Sequence, residues 1–178
     1  MKTQQTLGNF FSMGTLALYF LLMTLLTQGG EGASIQPSCK LSKPSLMQYF
    51  ISNQIFSLAQ LASLSDNDTS TRLLERYMFN QVEDTNRCYL MKEILDLTLK
   101  SMSPVPQPKF QPYLRDVLPF FNDQKNKLAS CTLKGNGRLV RKQMDDLKNK
   151  LKRLGKNGEI KIISEMDLLL KLLQKYCI

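Results

Sequence analysis

Histidine is absent from this 178-residue chain. That removes the commonest general base and the usual Ser-His and Cys-His arrangements for nucleophilic catalysis. Valine is scarce, at Val82, Val105, Val117 and Val140 only, and strand-like alternation of β-branched residues is nearly missing. No glycine-rich phosphate loop occurs: Gly135-Asn136-Gly137 is too short and lacks a lysine-serine ending. The adjacent acids Asp145 and Asp146 point in different directions on a helix, so they make no carboxylate pair across a substrate. No histidine or metal-ligand spacing accompanies the four cysteines. An enzyme, a metal site and a cofactor are therefore not expected.

The cysteines Cys39, Cys88, Cys131 and Cys177 all lie beyond residue 38. Ahead of them, no charge occurs from Thr3 to Gly30. Lys2 gives a weakly positive start, Leu16 to Leu26 is apolar apart from Thr24, and Gly29, Gly30, Gly32 and Ala33 supply small residues. This is the three-part pattern of a secretory signal peptide. A spanning helix needs about 20 apolar residues, so we expect removal of residues 1–33 rather than anchoring. An even cysteine count behind such a leader reads as a disulfide framework in an oxidising compartment. The expected mature chain, residues 34–178, is one domain, extracellular and not inserted in a membrane.

The charge balance survives that cut. One base (Lys2) and one acid (Glu31) leave, so the net charge stays at +9. An excess of this size favours acidic partners such as a sulfated glycan or an acidic protein surface. Nucleic acid is not expected, because no stacking aromatic motif accompanies the bases. Between Arg138 and Lys156 lie eight bases, opposed only by Asp145 and Asp146. A solvated helix face is the plainer interpretation and a heparin-type glycan patch the sharper one.

Helical spacing runs through the chain. The first helix is expected to open near Lys43-Pro44, with Ile51, Ile55, Leu58 and Ala62 as its apolar stripe. The polar run 65–70 stops it, and a short segment with Leu73, Leu74, Tyr77 and Met78 follows. Asp84 or Thr85 is a candidate cap for a helix with the stripe Met91, Ile94, Leu95, Thr98 and Met102. Three prolines between Ser103 and Pro108 mark a connector. Pro112 opens the next helix, with Tyr113, Leu114, Val117, Leu118 and Phe121 inward and a kink expected at Pro119. Val140, Met144, Leu147, Leu151 and Leu154 define another, stopped at Gly155. The last should start near Gly158-Glu159, with Ile162, Met166, Leu169, Leu173 and Tyr176 inward. Five substantial helices and one short one would bury these stripes as a bundle.

Four cysteines allow three pairings. If the helices bearing Cys88 and Cys177 are antiparallel neighbours, their ends meet and Cys39 is left with Cys131. Each bridge would then close a loop of about 90 residues, valued at roughly 4 to 5 kcal/mol by chain entropy. Asn67-Asp68-Thr69 is the one N-glycosylation sequon, and a secreted chain would offer Asn67 on a polar loop.

Several motifs resemble the interleukin-10 cytokine family. They are Cys88-Tyr89-Leu90-Met91-Lys92, Phe110-Gln111-Pro112-Tyr113, Gly158-Glu159-Ile160-Lys161, Glu165-Met166-Asp167-Leu168-Leu169 and the terminal Cys177-Ile178. Met13-Gly14-Thr15-Leu16-Ala17 and Gln28-Gly29-Gly30 in the leader add to them. The resemblance implies an all-α, six-helix, monomeric cytokine bundle with the pairs Cys39–Cys131 and Cys88–Cys177. It implies a ligand bridging a class II cytokine receptor heterodimer and driving JAK-STAT signalling in epithelial cells, with a soluble decoy receptor as a further partner. The high-affinity chain would meet Asp66, Thr69, Arg72, Lys161 and Glu165. The shared chain would meet Phe50, Asn53, Tyr113 and Asp116. Apart from the resemblance, Lys161 and Glu165 stand four apart on a helix, which alone would read as an exposed ion pair of little worth.

Overall fold

The computed structural model describes residues 39–102 and 107–178. The expected leader, and most of the proline-rich connector after Met102, lie outside the described residues. Among the described residues the regular structure is helical, without strands.

The chain begins with a single turn, α1 (Lys43–Leu46), and then the long α2 (Tyr49–Ser63). One continuous helix was expected here. Pro44 does sit in the first turn of α1, but Met47 leaves helical geometry at φ −108° and ψ 40°. Tertiary bonds hold this turn, and one of them takes the Leu46 carbonyl that a continuous helix would use. Gln174 Nε2 donates to the Leu46 carbonyl at 3.0 Å, and the Ser45 hydroxyl donates to Gln124 Oε1 at 3.2 Å. Leu46 is fully buried as a result of this docking.

A loop leads to α3 (Arg76–Asn80), which buries Met78 and Phe79. Leu73 and Leu74 are buried just before it, while Tyr77 faces solvent. Next comes α4 (Asp84–Ser101), whose N-cap is Glu83 without a side-chain cap bond; Asp84 falls in the first turn instead. The acid there still complements the positive end of the helix. After a 3₁₀ turn at Pro108–Phe110, α5 (Gln111–Lys127) runs on through Pro119. Gly137 caps α6 (Arg138–Leu154) in the left-handed region, and a Cβ there would stand 2.1 Å from Leu133 Cδ2. Gly155, at φ +53°, ends the helix. Glycine reaches that conformation without the steric cost an L side chain pays.

The last helix is broken. α7 (Asn157–Ser164) and α8 (Met166–Tyr176) meet at Glu165, where φ is −104° and ψ 10°. Of the inward set that its spacing predicts, Ile162, Met166, Leu169 and Leu173 are buried and Tyr176 is half-buried. α2 packs on α5, α7 and α8, while α4 packs on α5, α6 and α8. The resulting core takes in Ile55, Leu58, Met91, Ile94, Leu95, Val117 and Phe121.

Two disulfides bind the ends of this bundle. Cys39 pairs with Cys131 and Cys88 with Cys177, at Cα separations of 4.7 and 5.0 Å. The second joins the start of α4 to the residue after α8, so these packed helices run antiparallel. The backbone N–H of Leu41 donates to the Cys177 carbonyl, fastening the N-terminal strap to the same point. Phe79 stacks on Tyr176 at 4.5 Å between ring centroids.

Candidate functional site: a latched loop and an aromatic helix face

The loop between α2 and α3 is polar, and its short side chains fold back on it. The Asp68 carboxylate accepts the backbone N–H groups of Ser70 at 3.0 Å and Thr71 at 2.9 Å. It also accepts the Thr71 hydroxyl at 2.6 Å and the Ser70 hydroxyl at 2.7 Å. These donors, the Thr71 hydroxyl first, hold the Asp68 carboxyl well below the usual carboxylate range. Asp66 Oδ1 accepts the N–H of Asp68 at 3.1 Å.

The elbow between α7 and α8 grips this loop from below. Lys161 Nζ lies 2.9 Å from Asp66 Oδ2, with the two side chains only 7% and 9% exposed. The same ammonium donates to the Asp68 carbonyl. The Ser164 hydroxyl reaches Asp66 Oδ2 at 3.4 Å. Glu165 accepts the N–H groups of Leu73 at 3.0 Å and Leu74 at 2.8 Å. Burial pushes its carboxyl above the usual range, outweighing those donors and the charges of Lys161 and Arg72. Lys150 adds a third hold, donating to the Arg72 carbonyl and to Glu75, each at 3.0 Å.

Five residues are expected on this face (Asp66, Thr69, Arg72, Lys161 and Glu165), and the structure gathers them in one place. Their exposure divides them. Thr69 and Arg72 point to solvent, as does the sequon residue Asn67. Asp66 and Lys161 are interior partners, and Glu165 is half-buried against the loop backbone. The surface pair suggested by the four-residue spacing of Lys161 and Glu165 does not form; each instead reaches a different part of the loop. Asp68, Lys150 and Ser164 also hold this loop and lie outside the set that the resemblance implies. The density of Asp, Asn, Ser and Thr at 65–71 was the available signal for Asp68, since such side chains bond to nearby backbone.

The second set lies on α2 and α5, which pack together. Phe50 is 59% exposed and Asn53 is exposed, while Tyr113 and Asp116 are half-buried. Asp116 has Arg115 Nε at 3.8 Å. Tyr49, at 81% exposed, and Phe56, at 58%, extend the outward side of α2. Both stand off the Ile55–Leu58–Ala62 stripe, which is the sequence signal that would have found them.

The remaining features point away from catalysis. A groove of about 550 Å³ lies between α4 and α6, with Tyr89, Leu97 and Met144 in its lining. Its rim carries acids and bases of both signs, among them Asp96 and Lys100 paired at 2.6 Å. Sulfur atoms of Cys39, Cys88 and Cys131 lie within 4.8 Å of one another, but each is committed to a disulfide and presents no thiolate to a metal. No described helix is long and apolar enough to cross a membrane.

A helical bundle stapled by two disulfides, with its polar loop and aromatic face turned outward, defines a helical cytokine of the interleukin-10 type. The chain belongs to the interleukin-22 family. Residues 39–177 match the family model described as interleukin 22, IL-10-related T-cell-derived-inducible factor. The chain is 42% identical to interleukin-22 of Homo sapiens over 169 residues, covering 94% of each chain. It is 37% identical to interleukin-22b of Mus musculus over 179 residues, covering the full length of both. Members of this family are cytokines and not enzymes.

Proposed function

We propose that residues 1–33 direct export and are removed, and that residues 34–178 act outside the cell as a monomeric cytokine domain. The domain bridges a class II cytokine receptor heterodimer and so triggers JAK-STAT signalling in epithelial cells. The high-affinity chain meets the loop of Asp66, Thr69 and Arg72 with the elbow of Lys161 and Glu165. The shared chain meets Phe50, Asn53, Tyr113 and Asp116. A soluble decoy receptor would take the high-affinity face and block signalling. Asn67 carries a glycan at the rim of that face.

The observation that carries this reading is the outward aromatic side of α2. Tyr49, Phe50 and Phe56 are exposed, whereas the other described phenylalanines, Phe79, Phe110, Phe120 and Phe121, are all buried. Aromatics on a surface are anchors awaiting a partner that desolvates them. A charged polysaccharide or a lipid surface engaged through bases alone has no use for them. That rival, a basic helical protein binding glycans or membranes and nothing else, predicts steep loss of binding with salt and tolerance of any charge-preserving change. Receptor binding predicts the reverse.

Surface binding to purified receptor ectodomains tests the reading. Thr69→Ala with Arg72→Ala should weaken the high-affinity chain and leave the shared-chain step intact. Phe50→Ala should do the opposite. Equal binding by all three proteins would overturn the assignment of faces.

A further inference from the structure

The outward face of α6 carries positive charge that the fold does not use. Arg138, Lys142, Lys152, Arg153 and the following Lys156 are all exposed. None of these five has an ion-pair partner among the described residues. Two neighbours are occupied. Arg141 donates to the Asn136 carbonyl at 3.0 Å, and Lys148 stands 3.9 Å from Asp145. Lys150 is turned inward to Glu75 and leaves the face altogether.

Helix stability explains only half of this pattern. Bases in the last turn, Lys152 and Arg153, complement the negative end of the helix dipole. Arg138 and Arg141 stand at the positive end, where the dipole disfavours them, and the first turn holds no acid. Nor does packing require them, because the buried side of α6 is Val140, Gln143, Met144 and Leu147. At 100° per residue, Arg138, Lys142, Lys152 and Arg153 all project within about 60° of one direction, opposite that buried side. Asp145 and Asp146 lie between the two ends, dividing the face into two basic clusters. A helix of this length spans about 25 Å.

We propose that this face binds a sulfated glycan chain laid along α6, with Arg138 and Lys142 holding one end and Lys152 and Arg153 the other. The partner is a flexible polyanion with sulfates at intervals, because Asp145 and Asp146 between the two cationic clusters repel a continuous anionic plane and leave room for a chain whose charges are spaced. The bases contribute mainly through charge, so binding falls as salt rises. None of these five bases is among the residues assigned to either proposed receptor face. Glycan binding here rests on the chain being secreted, and its test involves no receptor, so failure here leaves the receptor reading standing.

The test uses the mature disulfide-bonded protein and a size-defined heparin oligosaccharide at physiological salt. The variant Arg138→Gln/Lys142→Gln/Lys152→Gln/Arg153→Gln is compared with a control that loses four exposed bases elsewhere, Lys40→Gln/Lys43→Gln/Arg76→Gln/Lys175→Gln. Circular dichroism verifies that each variant is folded. The α6 variant should bind on the order of a hundredfold more weakly, and the control within about threefold of the parent. Equal losses in the two variants would overturn the proposal, since net charge alone would then account for binding. Binding to the unsulfated polysaccharide, or to phosphatidylserine vesicles, as tight as to heparin would overturn it equally.

Discussion

The Lys161 ammonium and the Asp66 carboxylate meet at 2.9 Å across 95 residues of sequence, both almost wholly buried. The loop is thereby fixed to the α7–α8 elbow by a charge pair that water barely reaches. Removing one partner leaves the other buried and uncompensated, which typically costs 3–5 kcal/mol. Lys161→Met should therefore destabilise the protein by about 3 kcal/mol in urea unfolding. Lys161→Met with Asp66→Leu should cost clearly less than the single change. Additive losses in the double-mutant cycle would contradict the pairing.

Acid should act on the two carboxylates of this region in opposite senses. Glu165 is raised by burial, so the folded state takes up its proton before the unfolded chain does. Its contribution to stability therefore grows as pH falls from its raised value toward 4.5, the ordinary value. Asp68 is lowered by its hydroxyl and amide donors, so its contribution is present above 3.8 and lost as pH falls through its folded value. Glu165→Gln should flatten the stability profile above pH 4.5, and Asp68→Asn should flatten it below 3.8. Denaturant midpoints measured across pH 2 to 7 check both. A Glu165→Gln profile that still steepens above 4.5 would locate the effect in another group.

Tyr49 and Phe50 should separate folding from function. Neither contributes to the core, so Tyr49→Ala and Phe50→Ala should each change stability by no more than about 0.5 kcal/mol. Each should weaken shared-chain binding by about 1–2 kcal/mol if it is an anchor. A large loss of melting temperature with intact binding would make them structural.

The disulfides close loops of 92 and 89 residues, so their chain-entropy contributions should be nearly equal. Replacing either pair with serine should cost about 2–5 kcal/mol. Their local effects should differ. Loss of Cys88–Cys177 frees the joined ends of α4 and α8, whereas loss of Cys39–Cys131 frees the N-terminal strap. Amide exchange near Leu41 should accelerate in both variants, because its hydrogen bond ends on Cys177. Protection at Leu41 unchanged in either would contradict the shared anchorage.

Apolar spacing carried most of the fold into view. Stripes such as Met91–Ile94–Leu95–Thr98 and Val140–Met144–Leu147 are buried as their periodicity requires. The departures arise where tertiary partners outcompete local helix formation. Periodicity continues across Met47 and across Glu165, yet the backbone turns at both. At Met47 the competing bond comes from Gln174, which takes the Leu46 carbonyl across 128 residues of sequence. The site was legible as a set of positions and not as an arrangement. A spacing of four places Lys161 and Glu165 near one another, but only the docked loop determines that one is buried against Asp66 and the other against the amides of Leu73 and Leu74. The exposed aromatics Tyr49 and Phe56 lie outside the stripe, so a pattern of buried positions does not pick them out.

STAT phosphorylation in epithelial cells is the most direct test, with matched cells that carry both receptor chains or lack the high-affinity one. The account predicts a dose-dependent response in the first and none in the second, with Thr69→Ala/Arg72→Ala shifting the dose upward. A response that persists without the high-affinity chain, or none in cells carrying both, would contradict it.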